Sequence, residues 1–228
     1  MQPTGKIGKH GRVILGIDEA GRGPVLGPMV VCGVVLRPQA GSALTRRGVA
    51  DSKGFGAGSE ARDKRLELSR HIRRLADDVQ VEVFHHDEVD RYCDQGLLNE
   101  LERVAAVRII DRSVSVHRIV ADGEKVFGGL SARYPHLSAR NFGESHHVSV
   151  AAASIIAKVT RDELFAEIAS RYDREFGPIK GGGYVNGATA DFLKRYHARY
   201  RRLPAETRRS WGWKVLTELE PRPLPLFD

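Results

Sequence analysis

Cysteine is nearly absent: Cys32 and Cys93 are the only two in 228 residues. They form no CxxC pair and supply no zinc-ligand cluster. Cys32 falls in an apolar stretch and reads as a small core residue, and such sparse use of cysteine points to a reducing compartment. Long apolar runs are also missing. None has the length needed to cross a bilayer. The opening MQPTGKIGKHGRV has basic residues but no apolar stretch behind them that resembles a signal peptide, so the cytoplasm is the expected location. No internal repeat emerges. What is present is an ordinary globular composition, 41% hydrophobic and 29% charged, with a net charge of +7. The length suits one large domain, or a domain with a small appendage. The positive balance suits a polyanionic partner such as nucleic acid.

Periodicity and punctuation give an alternating order of elements. Arg12 to Asp18 and Pro28 to Leu36 read as strands separated by a glycine-rich turn. The following QAGSALTRRGVADSKGFGAGS reads as a loop. Ser59 is a candidate cap for the helix EARDKRLELSRHIRRLAD, whose Leu68, Ile72 and Leu75 share a face. VQVEVFHH alternates like a strand, and 87–113 is helical with a break near Gly96. HRIVAD and HLSARNF read as short strands. VSVAAASIIAKVTRDELFAEIASRY is a long helix with a small-residue start. A KGGGY turn, a helix from about Thr189 to Tyr200 and a proline-rich tail complete the chain. Three early strands followed by alternating helices and strands predict a mixed sheet covered by helices.

Acids stand at the ends of these strands: Asp18 and Glu19, then Asp122. Ligands in such sheets commonly gather beyond the carboxyl ends of strands. On an ideal strand Asp18 and Glu19 point to opposite faces, so both serve one site only if the strand ends or bends there. The alternative is that the two acids simply open a solvated turn. Clustered carboxylates disfavour one another's ionisation, and a divalent cation removes that cost. Hard oxygen ligands without a Cys or His set favour magnesium or manganese. Two such ions about 3.5–4 Å apart can clamp both oxygens of an in-line phosphoryl displacement.

The stretch GIDEAGRGPVLGPMVV closely resembles the signature of ribonuclease HII, the type 2 ribonuclease H that cleaves RNA within RNA–DNA duplexes. The resemblance continues in order through DSK at Asp51–Lys53, LNELE at Leu98–Glu102, ADG at Ala121–Gly123, AAASIIAKVTRD at Ala151–Asp162, GGGY at Gly181–Tyr184 and RRSW at Arg208–Trp211. It implies a ribonuclease H-like α/β fold over 12–215, with a core over about 12–165 and a helical C-terminal region over about 166–215 that closes over the substrate; 1–11 and 216–228 are tails. It implies metal-dependent hydrolysis by two magnesium or manganese ions, leaving a 5′-phosphate and a 3′-hydroxyl. The implied partners are RNA–DNA hybrids and duplex DNA holding ribonucleotides, met by a monomer without a membrane. Three of the family's four metal-binding carboxylates fall on Asp18, Glu19 and Asp122. The fourth is usually an aspartate ten residues before the serine of the AAS motif. Counting back from Ser154 reaches Glu144, a glutamate as in the sister family ribonuclease HIII. Ribonuclease HIII lacks the arginine of the Gly-Arg-Gly turn, which this chain keeps as Arg22. Specificity of the HIII type, for longer RNA runs, and a hybrid-binding protein that no longer cuts are the competing readings.

For Gly21, Arg22 and Gly23 the resemblance implies recognition of the ribose 2′-hydroxyl and the adjacent phosphate. This suits a group that separates RNA from DNA. The alternative for Arg22 is an ion pair with Asp18 or Glu19. Tyr184 matches the family tyrosine that stacks on the deoxyribose at an RNA-to-DNA junction; the alternative is a core tyrosine. Ser52, Lys53 and Lys158 match phosphate contacts. His85-His86 and His146-His147 are weak zinc candidates and read as solvated or site-edge residues. Asp162 reads as a structural ion pair or cap. Arg195, Arg199, Arg201 and Arg202 read as a solvated basic face. Trp211 and Trp213 read as packing residues. The terminal PLPLFD lacks the glutamine and paired aromatics of a sliding-clamp peptide, so no clamp contact is expected.

Overall fold

The computed structural model describes residues 12–49, 54–56, 58–141 and 147–221. Its centre is a mixed five-stranded sheet in the order β3-β2-β1-β4-β5. The strands are β1 (Ile14–Ala20), β2 (Met29–Leu36), β3 (Asp78–Phe84), β4 (Arg118–Asp122) and β5 (Leu137–Arg140). β1 pairs with β4 in parallel, and β4 with β5. Parallel neighbours need long crossovers, and helices supply them. These are α1 (Pro38–Thr45), α2 (Ser59–Leu75), α3 (His86–Cys93), α4 (Leu98–Arg112) and the short α5 (Glu124–Phe127), followed by α6 (Val148–Phe176), α7 (Gly187–Tyr200) and α8 (Lys214–Leu219).

Several sequence expectations change in detail. β1 continues through Asp18 and Glu19 to Ala20. The loop-like stretch after β2 contains α1, started by Pro38 in its first turn and held by buried Gly41 and Leu44. The cap of α2 is Gly58 rather than Ser59. His85 and His86 leave the third strand and open α3. The break near Gly96 is present, with that residue at φ +70°. The tail carries α8, a short helix that no periodicity announced.

The chain divides into two compact units. The first comprises Met1–Ala20, Val31–Glu82 and Glu102–Val159. Its core holds Leu15, Ile17, Val34, Ile109, Ile119 and Ile155, each at most 1% exposed. Gly33 admits α4 to β2: a Cβ there would meet the Ile109 side chain at 2.4 Å. The second comprises Gly21–Val30, Val83–Leu101 and Thr160–Asp228. Its core gathers Val25, Leu26, Phe165, Phe192, Leu193 and Tyr196, with Trp211 and Trp213 packed against them. Edge-on rings, such as Tyr172 against Phe192 at 5.3 Å between centroids, add to the burial.

Candidate active site

In the first unit, β1 buries Leu15 and Ile17 completely and then places the charged Asp18 at 6% exposure. The parallel register pairs Ile17 with Ala121, so the next residue on each strand is an acid, Asp18 on β1 and Asp122 on β4. Glu19 donates its backbone N–H to Asp18 Oδ1 at 2.8 Å. Burial first, then the Glu19 carboxylate and, more weakly, Asp122, push the Asp18 carboxyl well above the usual carboxylate range. A hydrogen bond from Ser154 and the N–H of Glu19 oppose that shift.

Ser154 reaches Asp18 because α6 lies directly on β1. At Gly16 a Cβ would fall 2.1 Å from the Ser149 carbonyl carbon and 2.3 Å from the Val150 nitrogen. Only glycine tolerates that approach. Ala151, Ala152 and Ala153 are fully buried, so the small-residue start of α6 is a contact surface. Lys158 stands one turn after Ser154 on the same helical face and is half-buried.

Among the described residues, no three His, Cys, Asp or Glu side chains close into a metal-holding group. Glu144, the fourth acid by sequence, lies outside the described residues, as do Ser52, Lys53 and His146. The chemistry of the donors still fits a hard divalent cation. They are carboxylate oxygens, they repel one another, and burial disfavours the charged form of the most buried of them.

The second unit builds the Gly-Arg-Gly turn. Gly21 has φ +82°, and a Cβ there would lie 2.6 Å from the Pro28 carbonyl oxygen. Arg22 extends its guanidinium to Asn99 Oδ1 at 2.7 Å. Arg208, fully buried, donates to the carbonyls of Gly21 at 2.7 Å, Arg22 at 3.1 Å and Gly27 at 2.9 Å. Trp211 donates its indole N–H to Gly23 at 3.1 Å. The GGGY turn is tied to the same segment, because the Gly183 carbonyl accepts from Val25 and Leu26. Tyr184 is 40% exposed, which removes the core-tyrosine reading. Its ring lies near Gly23, and the Arg161 guanidinium stands 5.5 Å from its centroid. Arg161 is itself 1% exposed and donates to the Gly182 carbonyl at 2.6 Å. Burial lowers the pKa of both arginines, and the Arg161 cation adds to the effect at Arg208.

The remaining candidates have local partners. His147 Nδ1 is 2.8 Å from Ser149 Oγ at the start of α6, and burial lowers its pKa, with Arg118 adding to the effect. Asp162 pairs with Arg161 at 3.4 Å. Arg195 donates to the Phe176 carbonyl, and Arg199 pairs with Glu175. His85 and His86 line a cavity of about 420 Å³ with Gly27, Pro28 and Glu167, which none of the described family-implied site residues lines. Sequence reasoning passed over Asn99, Arg161 and Arg208 as functional candidates and took Trp211 only as packing. The signal available for the arginines was their place inside the KVTRD and RRSW motifs.

The family model for ribonuclease HII matches residues 15–214. The ribonuclease HII of Methanothermobacter thermautotrophicus is 37% identical over 207 residues, covering 87% of this chain and 96% of the relative. The chain belongs to the ribonuclease HII family. It is thus a metal-dependent ribonuclease with ribonuclease H activity. The fold agrees with the crystal structure of ribonuclease H2 from Pyrococcus horikoshii OT3 at a TM-score of 0.77 and 28% identity, covering 91% of this chain and 97% of that one. Bst-RNase HIII in complex with Mn2+ shares the fold at a TM-score of 0.68 and 20% identity, with 91% and 69% covered. RNase HII from Archaeoglobus fulgidus, in a complex with PCNA, matches at a TM-score of 0.73 and 29% identity, with 89% and 96% covered. A ribonuclease HII therefore does meet a sliding clamp, and the expectation of no clamp contact is not borne out. Among the described residues no helix is long and apolar enough to cross a membrane.

Proposed function

We propose that this ribonuclease HII cuts the RNA strand of RNA–DNA hybrids and incises on the 5′ side of ribonucleotides embedded in duplex DNA. The observation that carries the chemistry is Asp18, buried beside Glu19 and near enough to Asp122 to feel its charge. Such a group gains from a nearby cation. Asp18, Glu19, Asp122 and Glu144 are the ligands of this reading, with glutamate at 144 keeping charge and both oxygens while adding a methylene. Held by these carboxylates, two magnesium or manganese ions would provide the Lewis acidity for activating a water and for offsetting charge on the departing 3′-oxygen. Ser154 holds the Asp18 carboxylate in one orientation. Gly21, Arg22 and Gly23 read the 2′-hydroxyl and its phosphate, Tyr184 stacks at the junction, and Ser52, Lys53 and Lys158 contact phosphates.

Specificity of the HIII type has one residue in its favour, Glu144, whereas Arg22 and the exposed Tyr184 favour HII. A cleavage assay on three duplexes decides: an all-RNA strand, a lone ribonucleotide and all DNA, with magnesium and then manganese. Cutting of the first two and not the third is expected. Cutting of the first alone returns the HIII reading, and cutting of none returns the binding-protein reading. The Archaeoglobus complex supports adding a clamp to the proposed partners. Truncation before PLPLFD, a segment outside the described residues, is expected to weaken clamp binding and leave cleavage of short duplexes unchanged.

A further inference from the structure

All three carbonyl oxygens of Gly21, Arg22 and Gly23 are held by two side chains from one short segment. Arg208 takes the first at 2.7 Å and the second at 3.1 Å, and Trp211 takes the third at 3.1 Å. The Arg208 guanidinium lies 5.0 Å from the Trp211 ring centroid, so the two donors brace each other. Their segment is fixed in turn. Asp90 accepts the N–H groups of Arg209 at 2.7 Å and Ser210 at 2.9 Å, and Arg208 donates its own N–H to Val25 at 2.8 Å.

This arrangement fixes the other side of the turn. A trans peptide points its C=O and its N–H in opposite directions, and the chain has no cis bond among its described residues. Turning the Gly21 and Arg22 carbonyls onto Arg208 therefore aims the N–H groups of Arg22 and Gly23 away from it. Two neighbouring donors are thus presented together on the face opposite the buried cation. A planar guanidinium with a fixed fork sets that orientation more tightly than an ammonium or a water does. Donation from a cation also polarises the peptides and strengthens their N–H groups as donors.

We propose that Arg208 and Trp211 are positioning residues for ribose recognition: Arg208 holds the Gly21 and Arg22 carbonyls so that the amides of Arg22 and Gly23 meet a 2′-hydroxyl, and Trp211 anchors the end of the turn through the Gly23 carbonyl, whose peptide with Pro24 carries no N–H. The inference rests on the reading above that this turn reads the ribose.

The test is equilibrium binding of the full chain to two matched duplexes, one with a lone ribonucleotide and one all DNA. Calcium is the only divalent ion, so that binding is read without efficient cutting. The quantity is the ratio of the two dissociation constants. Wild type is expected to favour the ribonucleotide. Trp211→Phe keeps the ring and removes one donor. Loss of one hydrogen bond is expected to reduce the ratio about fivefold, with little change in melting temperature or in affinity for all-DNA duplex. Arg208→Lys keeps the charge and loses the fork, and a larger reduction is expected. A role confined to stability would move the melting temperature and leave the ratio alone. A folded Trp211→Phe protein with the wild-type ratio overturns the inference, whether or not Arg208→Lys folds. A wild-type ratio near one overturns the ribose reading first and this inference with it.

Discussion

Gly16 and Ser149 touch backbone to backbone: a Cβ on Gly16 would lie 2.1 Å from the Ser149 carbonyl carbon. That contact sets the height of α6 over β1, and with it the reach of Ser154 to Asp18. Gly16→Ala has no flexible side chain to push aside, so the helix itself must move. A loss of stability of roughly 3 kcal/mol or more is expected, as for severe overpacking. Thermal melts measure it. A Gly16→Ala protein with wild-type stability and cleavage would show that the helix shifts without cost and that the Ser154 contact is dispensable.

The second prediction concerns pH and metal. The folded pKa of Asp18 is raised above its unfolded value, chiefly by burial and then by Glu19. The protonated form is therefore favoured by folding. Its contribution to stability is fully present below the unfolded pKa, about 3.9, and is lost as pH rises through the higher folded value. Above the unfolded pKa and without metal, burying Asp18 is therefore a penalty whichever form it takes. Asp18→Asn is expected to raise the melting temperature in chelator at pH 7 and to abolish cleavage. Magnesium should stabilise wild type increasingly as pH rises, and stabilise Asp18→Asn much less. Melts of both proteins across pH, with and without magnesium, give the comparison. Equal magnesium effects in the two would remove Asp18 from the ligand set.

Much of the site was legible because its residues break local rules. Two acids closing an apolar strand, and a glycine-flanked arginine directly after them, have no role in a core. Periodicity likewise exposed the long α6 and the split near Gly96. The strand end was not legible, since whether Asp18 and Glu19 continue β1 depends on the tertiary setting of the sheet rather than on the local pattern. Nor was α1, whose short run is held by tertiary burial of Gly41 and Leu44. Arg161 and Arg208 are hidden for a different reason. A basic residue in a polar stretch reads as solvated, and only the packed structure shows backbone carbonyls converging on a buried guanidinium.

The third prediction addresses the departure at residue 144. Glu144→Gln removes a charge from the proposed two-ion site, and a loss of orders of magnitude in rate is expected because metal-stabilised charge contributes several kcal/mol. Glu144→Asp keeps the charge, shortens the arm and is expected to remain active with a changed magnesium-to-manganese preference. Asp122→Asn is the reference, expected to abolish cleavage while leaving fold and hybrid binding intact. Single-turnover rates in each metal read all three. Wild-type cutting by Glu144→Gln would exclude that residue, and near-normal turnover by a folded Asp122→Asn would exclude the third ligand.

The last prediction separates sugar recognition from metal chemistry. Metals act on the phosphate whatever sugar surrounds it, so substrate choice should follow the groups that meet the sugars. Tyr184 is exposed, lies near Gly23 and has the Arg161 guanidinium 5.5 Å from its ring centroid. Such a ring is placed and still open to a stacking partner. A lone ribonucleotide in DNA always presents an RNA-to-DNA junction, whereas a long RNA strand can be cut where none is read. Tyr184→Ala is therefore expected to weaken incision at a lone ribonucleotide far more than cutting within long RNA. The loss should be about five- to 150-fold if stacking contributes about 1–3 kcal/mol. Arg22→Ala keeps the backbone amide but removes the guanidinium proposed to meet the adjacent phosphate, a contact expected at every cut, and should impair both substrates. The ratio of kcat/KM on the two duplexes reads the difference. Equal losses on both substrates for Tyr184→Ala would remove junction reading from this residue and favour the HIII-type preference for longer RNA.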